Sequence, residues 1–193
     1  MRLRTLLPLA AIASACARAP LAPPAPPQAP ADYYPLAVGN EWVYRDASPA
    51  LPADRQGTSR TVRILERTKD GYWRDSAGAE LRADADCLHD RDRRLLCAPL
   101  AAGKSWSSVV SVSSTERYEI VAVGEKVATP AGTFDGCVRV RARNRASPTN
   151  ELVNELTFAP GVGLVRIETA AVLGGKVLPQ ARFLLERYRV GRR

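Results

Sequence analysis

Arg139–Phe158 reads RVRARNRASPTNELVNELTF, and its alternation decides the fold class. Arginine occupies every second position from Arg139 to Arg145, with Val140, Ala142 and Asn144 between them. A period of two places alternate side chains on opposite faces of a strand. With the turn at Ala146-Ser147-Pro148-Thr149, Arg145 stands opposite Glu151, Arg143 opposite Val153 and Arg141 opposite Glu155. One face then carries four arginines beside two glutamates, and the other carries Val138, Val140, Leu152, Leu156 and Phe158. Opposite charges directly across a ladder contribute about 0.2 to 1 kcal/mol each, which makes the arginine side a solvated outer face.

Outward from this hairpin, period-two or β-branched runs occur at residues 42–45, 60–67, 71–74, 80–83, 87–89, 95–97, 106–112, 117–127, 164–172 and 181–190. Turn chemistry separates them, as at Lys69-Asp70-Gly71, Ser76-Ala77-Gly78, Pro160-Gly161 and Gly174-Gly175. Helical periodicity is nearly absent. The expected fold is all-β: ten to twelve antiparallel strands in meander order, forming a curved sheet, half-barrel or open barrel, with a two-sheet sandwich as the alternative.

An internal echo supports this reading. Pro35-Leu36-Ala37-Val38-Gly39-Asn40-Glu41-Trp42 returns as Pro99-Leu100-Ala101-Ala102-Gly103-Lys104-Ser105-Trp106. Proline fixes φ, Gly39 and Gly103 can take positive φ, and a tryptophan then enters the sheet. Trp42 and Trp106 are expected to be equivalent core anchors. The segments that follow them differ, so reuse of one turn is a simpler account than duplication of a half-domain.

Cys87 and Cys97 flank a loop rich in aspartate and arginine. If they stand opposite each other, Leu88 faces Leu96 and His89 faces Leu95, and directly opposed strand positions fall within reach of a disulfide. Cys137 is then a buried free thiol; Cys87–Cys137 and Cys97–Cys137 are the rival bridges. Cys87, His89 and Cys97 supply only three zinc ligands, and none if the cysteines are oxidised. Asp84, Asp86, Asp90 and Asp92 lack the spacing, glycine and closing glutamate of a calcium loop. His89 is the only histidine, and there is no G-x-S-x-G. Glu119, Glu125, Glu151, Glu155 and Glu168 read as strand rungs rather than as a glycosidase pair. These residues point to no metal and no cofactor, and they leave an envelope hydrolase as the least favoured of the function readings.

The N-terminus supplies an address. Arg2 and Arg4 precede a stretch of roughly ten apolar residues, too short for a bilayer that needs about 20. Ala13-Ser14-Ala15-Cys16 follows. This resembles the bacterial lipobox, which implies that Cys16 is lipidated and begins the mature chain; simple secretion after Ala15 is the alternative. Residues 1–15 are then a signal peptide, residues 16–32 a lipidated, proline-rich tether and residues 33–193 a single β domain. The run ARAPLAPPAPPQAPA favours polyproline II, which at about 3.1 Å per residue extends to roughly 45 Å. Ala17 after the cysteine implies, under enterobacterial-type sorting, an outer-membrane lipoprotein facing the periplasm.

The net charge of +8 falls to about +6 when Arg2 and Arg4 leave with the leader. Export, scattered acidic residues and the lack of basic runs interleaved with aromatics argue against nucleic acid.

Together, Tyr34-Pro35-Leu36 with Gly39 to Tyr44, the second Pro99-Leu100 with Gly103 and Trp106, Thr129 to Cys137 (TPAGTFDGC) and Ala159 to Val165 (APGVGLV) resemble a group of uncharacterised bacterial envelope lipoproteins. The resemblance implies a β-rich exported fold and no known activity. The expected function is a membrane-tethered, non-catalytic module that binds an envelope protein or an apolar ligand on its sheet. A purely structural or assembly lipoprotein is the alternative, and a filled interior would favour it.

Overall fold

In a computed structural model, residues 29–49, 51–52, 57–145 and 147–191 are described. Cys16, the leader and nearly all of the tether lie outside the described residues. A short 3₁₀ turn, Pro30–Tyr33, precedes twelve strands: β1 Glu41–Asp46, β2 Ser59–Arg67, β3 Trp73–Asp75, β4 Glu80–Ala83, β5 Cys87–His89, β6 Arg94–Cys97, β7 Ser105–Ser111, β8 Ser114–Thr129, β9 Gly132–Arg145, β10 Asn150–Ala159, β11 Gly163–Leu173 and β12 Lys176–Arg189. They form one antiparallel sheet in the order β6-β5-β4-β3-β2-β1-β12-β11-β10-β9-β8-β7. The sheet curls into a nearly closed barrel whose one unsealed seam lies between β6 and β7. A meander has become a barrel because its first and last strands pair, Trp42 opposite Tyr188.

Curvature has local causes. Bulges interrupt the ladders at Val43/Tyr44, Thr157/Phe158 and Thr169/Ala170, and three irregularities break β8–β9 between Ile120 and Val127. Each bulge bends its strand and increases the local twist. The alternation of Arg139–Phe158 works as read: Val138, Val140 and Phe158 are fully buried inside, and the arginines face out.

The two echoed turns share one hydrogen-bond pattern. The Gly39 amide donates to Ile64 O (2.9 Å), Ile64 N to Asn40 O (2.9 Å) and Asn40 N to Ala37 O (3.1 Å). Gly103 N donates to Ile120 O (2.8 Å), Ile120 N to Lys104 O (2.8 Å) and Lys104 N to Ala101 O (3.1 Å). Gly39 and Gly103 both need positive φ, +87° and +85°.

The tryptophans are not equivalent, however. Trp42 lies fully buried on β1, between β2 and β12, whereas Trp106 is half-buried on edge strand β7. Trp106 stacks on Tyr118 (5.6 Å between centroids) and donates its indole N–H to Arg94 O across the seam (2.7 Å). Its neighbour across the sheet is missing, which is a topological fact that the local motif does not encode.

Two other expectations change. A bulge between Leu88 and His89 sets His89 opposite Arg94 instead of Leu95. The expected tether also loses its last residues to the fold, since Asp32 O accepts the Gly161 amide (2.7 Å) and Pro30 is buried.

These N-terminal residues close one end of the barrel. Tyr34 packs on Trp42 (5.0 Å between ring centroids), whose indole N–H donates to Val162 O (2.6 Å). Tyr33 OH donates to Gly136 O (3.1 Å), and the β8–β9 turn joins through Ala131 N to Leu185 O (3.0 Å). Gly163, at φ +117°, lies so close under the indole that an added Cβ would sit 3.0 Å from Trp42 Nε1. The PLAVGNEW, TPAGTFDGC and APGVGLV segments thus meet at this closed end.

Candidate functional site

Above the closed end the interior is not filled. A cavity of about 340 Å³ opens between β1, β2, β4–β6 and β10–β12. Its walls include Tyr44, Val62, Leu81, Leu88, Phe158 and Ile167, which the strands point inward by their period of two. Arg60, Asp90 and the β3–β4 turn residues Ala77 and Ala79 complete the lining. The volume and apolar lining match sites for small ligands.

The polar groups on the wall have distinct duties. Burial raises the pKa of the Tyr44 phenol well above the ordinary range, with Tyr34 and Asp75 adding to the shift, and its hydroxyl donates to Leu164 O (3.1 Å). Burial, with Asp75 adding, raises the Tyr34 phenol in the same way. The Tyr34 hydroxyl makes no hydrogen bond among the described residues, so it can donate to a ligand in the cavity. Asp75 is committed to its own turn, where Oδ1 accepts from Ala77 N (2.8 Å) and Ala79 N (2.9 Å).

The chemistry weighed around His89 resolves into structure. Its ring meets Tyr72 edge-on (5.8 Å), Nδ1 lies 3.2 Å from Asp90 O, and Nε2 lies near both Asp84 (3.2 Å) and Arg82 (3.3 Å). Asp84 Oδ1 accepts from Cys87 N (2.7 Å) and Asp86 N (3.0 Å), bonds that hold its carboxyl below the usual range. Asp90 Oδ1 likewise caps Asp92 N (2.8 Å) and Arg93 N (2.6 Å). These aspartates serve turns, and among the described residues no group of three metal-ligating side chains forms.

Glu155 and Glu168 stand directly opposite each other across β10–β11, a juxtaposition that no local sequence signal sets because a bulge at Thr157/Phe158 shifts the register. Burial pushes the Glu155 pKa up, but bonds from Arg141 (2.8 Å) and Arg139 (3.0 Å) outweigh it and hold the carboxyl below its ordinary value. Glu168 pairs with Arg182 (2.7 Å). A glycosidase needs one carboxylic acid with a raised pKa, and Glu155 is held in the opposite direction.

Cys87 and Cys97 are bridged, and Cys137 is a buried free thiol whose pKa burial pushes up to about 11. Oxidised native protein should therefore resist alkylation and, once denatured without reductant, take up one label that peptide mapping assigns to Cys137. Replacing both bridged cysteines with alanine should cost about 2.5 to 3 kcal/mol in the chain-entropy model without abolishing the fold. Label on Cys87 or Cys97 before reduction would contradict the bridge.

Neither a family model nor a curated protein matches this chain. Two solved structures are similar in outline. One is a protein of Parabacteroides distasonis provisionally described as a lipoprotein, 15% identical, with a TM-score of 0.44 over 81% of this chain and 98% of that one. The other is provisionally described as an exported protein with a YmcC-like fold, from Bacteroides fragilis, 17% identical, with a TM-score of 0.45 over the same shares.

Proposed function

We propose that this chain is an exported lipoprotein, anchored through Cys16, whose barrel takes up an apolar ligand without transforming it. The observation that carries the reading is the open, apolar cavity of about 340 Å³ above a tightly plugged end. A protein used only as scaffold would gain stability by filling that space, since unfilled volume forfeits packing. The ligand contacts the aromatic and aliphatic walls and can accept a hydrogen bond from Tyr34. Localisation to the bacterial envelope, on the periplasmic side of an outer membrane, rests on the leader and on Ala17.

The test is displacement of an apolar fluorescent dye, N-phenyl-1-naphthylamine. Wild-type protein should bind the dye, and Val62→Phe, which projects into the cavity from β2, should reduce binding while circular dichroism stays unchanged. No dye binding by the wild type, or equal binding by the variant, would remove the cavity reading and leave the structural one.

A further inference from the structure

A second concavity lies on the outer wall, away from the barrel cavity. Three rungs cross β9, β10, β11 and β12 in turn: Arg141, Glu155, Glu168 and Arg182; then Arg143, Val153, Ala170 and Pro179; then Arg145, Glu151, Val172 and Val177. Val153, Ala170, Val172, Val177 and Pro179 floor an open groove of about 490 Å³. Such an apolar strip on an outer face needs an occupant or a reason.

At its β8–β9 end the groove meets a small cleft of about 90 Å³ between Thr115, Arg117, Arg143, Arg145 and Glu151, and Arg143 lines both. The charges here are not balanced as they are on the first rung, where Arg141 bonds Glu155 and Arg182 bonds Glu168. Glu151 neutralises Arg143 (2.7 Å), but Arg117 and Arg145 have no ion pair among the described residues. Arg117 also stands directly opposite Arg143 across β8–β9, and like charges in that position destabilise a ladder. Solvated cross-strand pairs therefore explain Arg139 and Arg141 but not this corner. A phosphate between the guanidinium groups would relieve the repulsion and accept paired N–H bonds from them.

The geometry points to an amphiphile: we infer that this wall binds an anionic phospholipid. Its phosphate lies among Arg117, Arg143 and Arg145, and an acyl chain runs along Val153, Ala170, Val172, Val177 and Pro179. The site is separate from the barrel interior, so it can fail while the cavity stands.

The test uses the chain from residue 16 with Cys16→Ser, so that no acyl anchor holds it to a bilayer. It should sediment with vesicles of phosphatidylcholine and phosphatidylglycerol, and not with phosphatidylcholine alone. Arg117→Gln with Arg145→Gln should weaken that binding about tenfold or more, given the usual worth of two arginines at an anionic surface. Arg187→Gln with Arg189→Gln, equal in charge change but on β12 beside β1, should leave it nearly unchanged. Decyl phosphate should raise the melting temperature more than inorganic phosphate does, and the Arg117/Arg145 variant should melt no lower than wild type without ligand. Equal losses in the two double variants would reduce the effect to diffuse charge attraction. An equal shift with inorganic phosphate would show a bare anion site, and absence of sedimentation would end the proposal.

Discussion

Replacing Trp42 with alanine should cost about 3 to 5 kcal/mol, the range for deleting a large buried aromatic and a large share of a domain's usual stability. The indole is fully buried, packs on Tyr34, approaches Gly163 and donates the 2.6 Å bond to Val162 O. Its loss therefore leaves both a void and an unpaired carbonyl. Trp106→Ala should cost clearly less, about 1 to 3 kcal/mol, because half-burial leaves less to lose than the full aromatic deletion. Urea titrations of the two variants check the contrast. Equal losses would mean that the seam is as tightly packed as the closed end.

Changing Cys16 to serine should move the protein from the membrane fraction to the soluble one. The lipid is the proposed anchor, and among the described residues no helix is long and apolar enough to cross a membrane. Fractionation with carbonate washing, beside intact-mass measurement of the wild type for an added diacyl group, gives the answer. Unchanged membrane association would show that the arginine-bearing wall or a partner holds the protein, and that the small-residue run before Cys16 serves ordinary cleavage.

All twelve strands were legible, because period two, glycine turns and the Arg139–Phe158 register are local signals. Less visible was anything decided by distant strands. Trp42 and Trp106 sit in the same eight-residue motif, yet β1 acquires two neighbours and β7 one, so their burial diverges. The His89 register slipped because one bulge, between Leu88 and His89, carries no residue signature. Pro30 read as tether because its role in closing the barrel depends on Gly161, far along the chain. The cavity wall draws on residues from Tyr34 to Phe183, so only the closed barrel assembles it. Arg117 against Arg143 is hidden for the same reason, since three irregularities in β8–β9 set that register.

The plug also sets an orientation. The chain enters the barrel at the closed end, where Asp32 meets Gly161, while the arginine cleft lies towards the far ends of the strands. A barrel anchored through Cys16, as proposed, would be tied to its leaflet at the closed end. The free end, with Arg117, Arg143 and Arg145 at its rim, would then be the part left to meet other surfaces, and the anchor would serve to station the molecule.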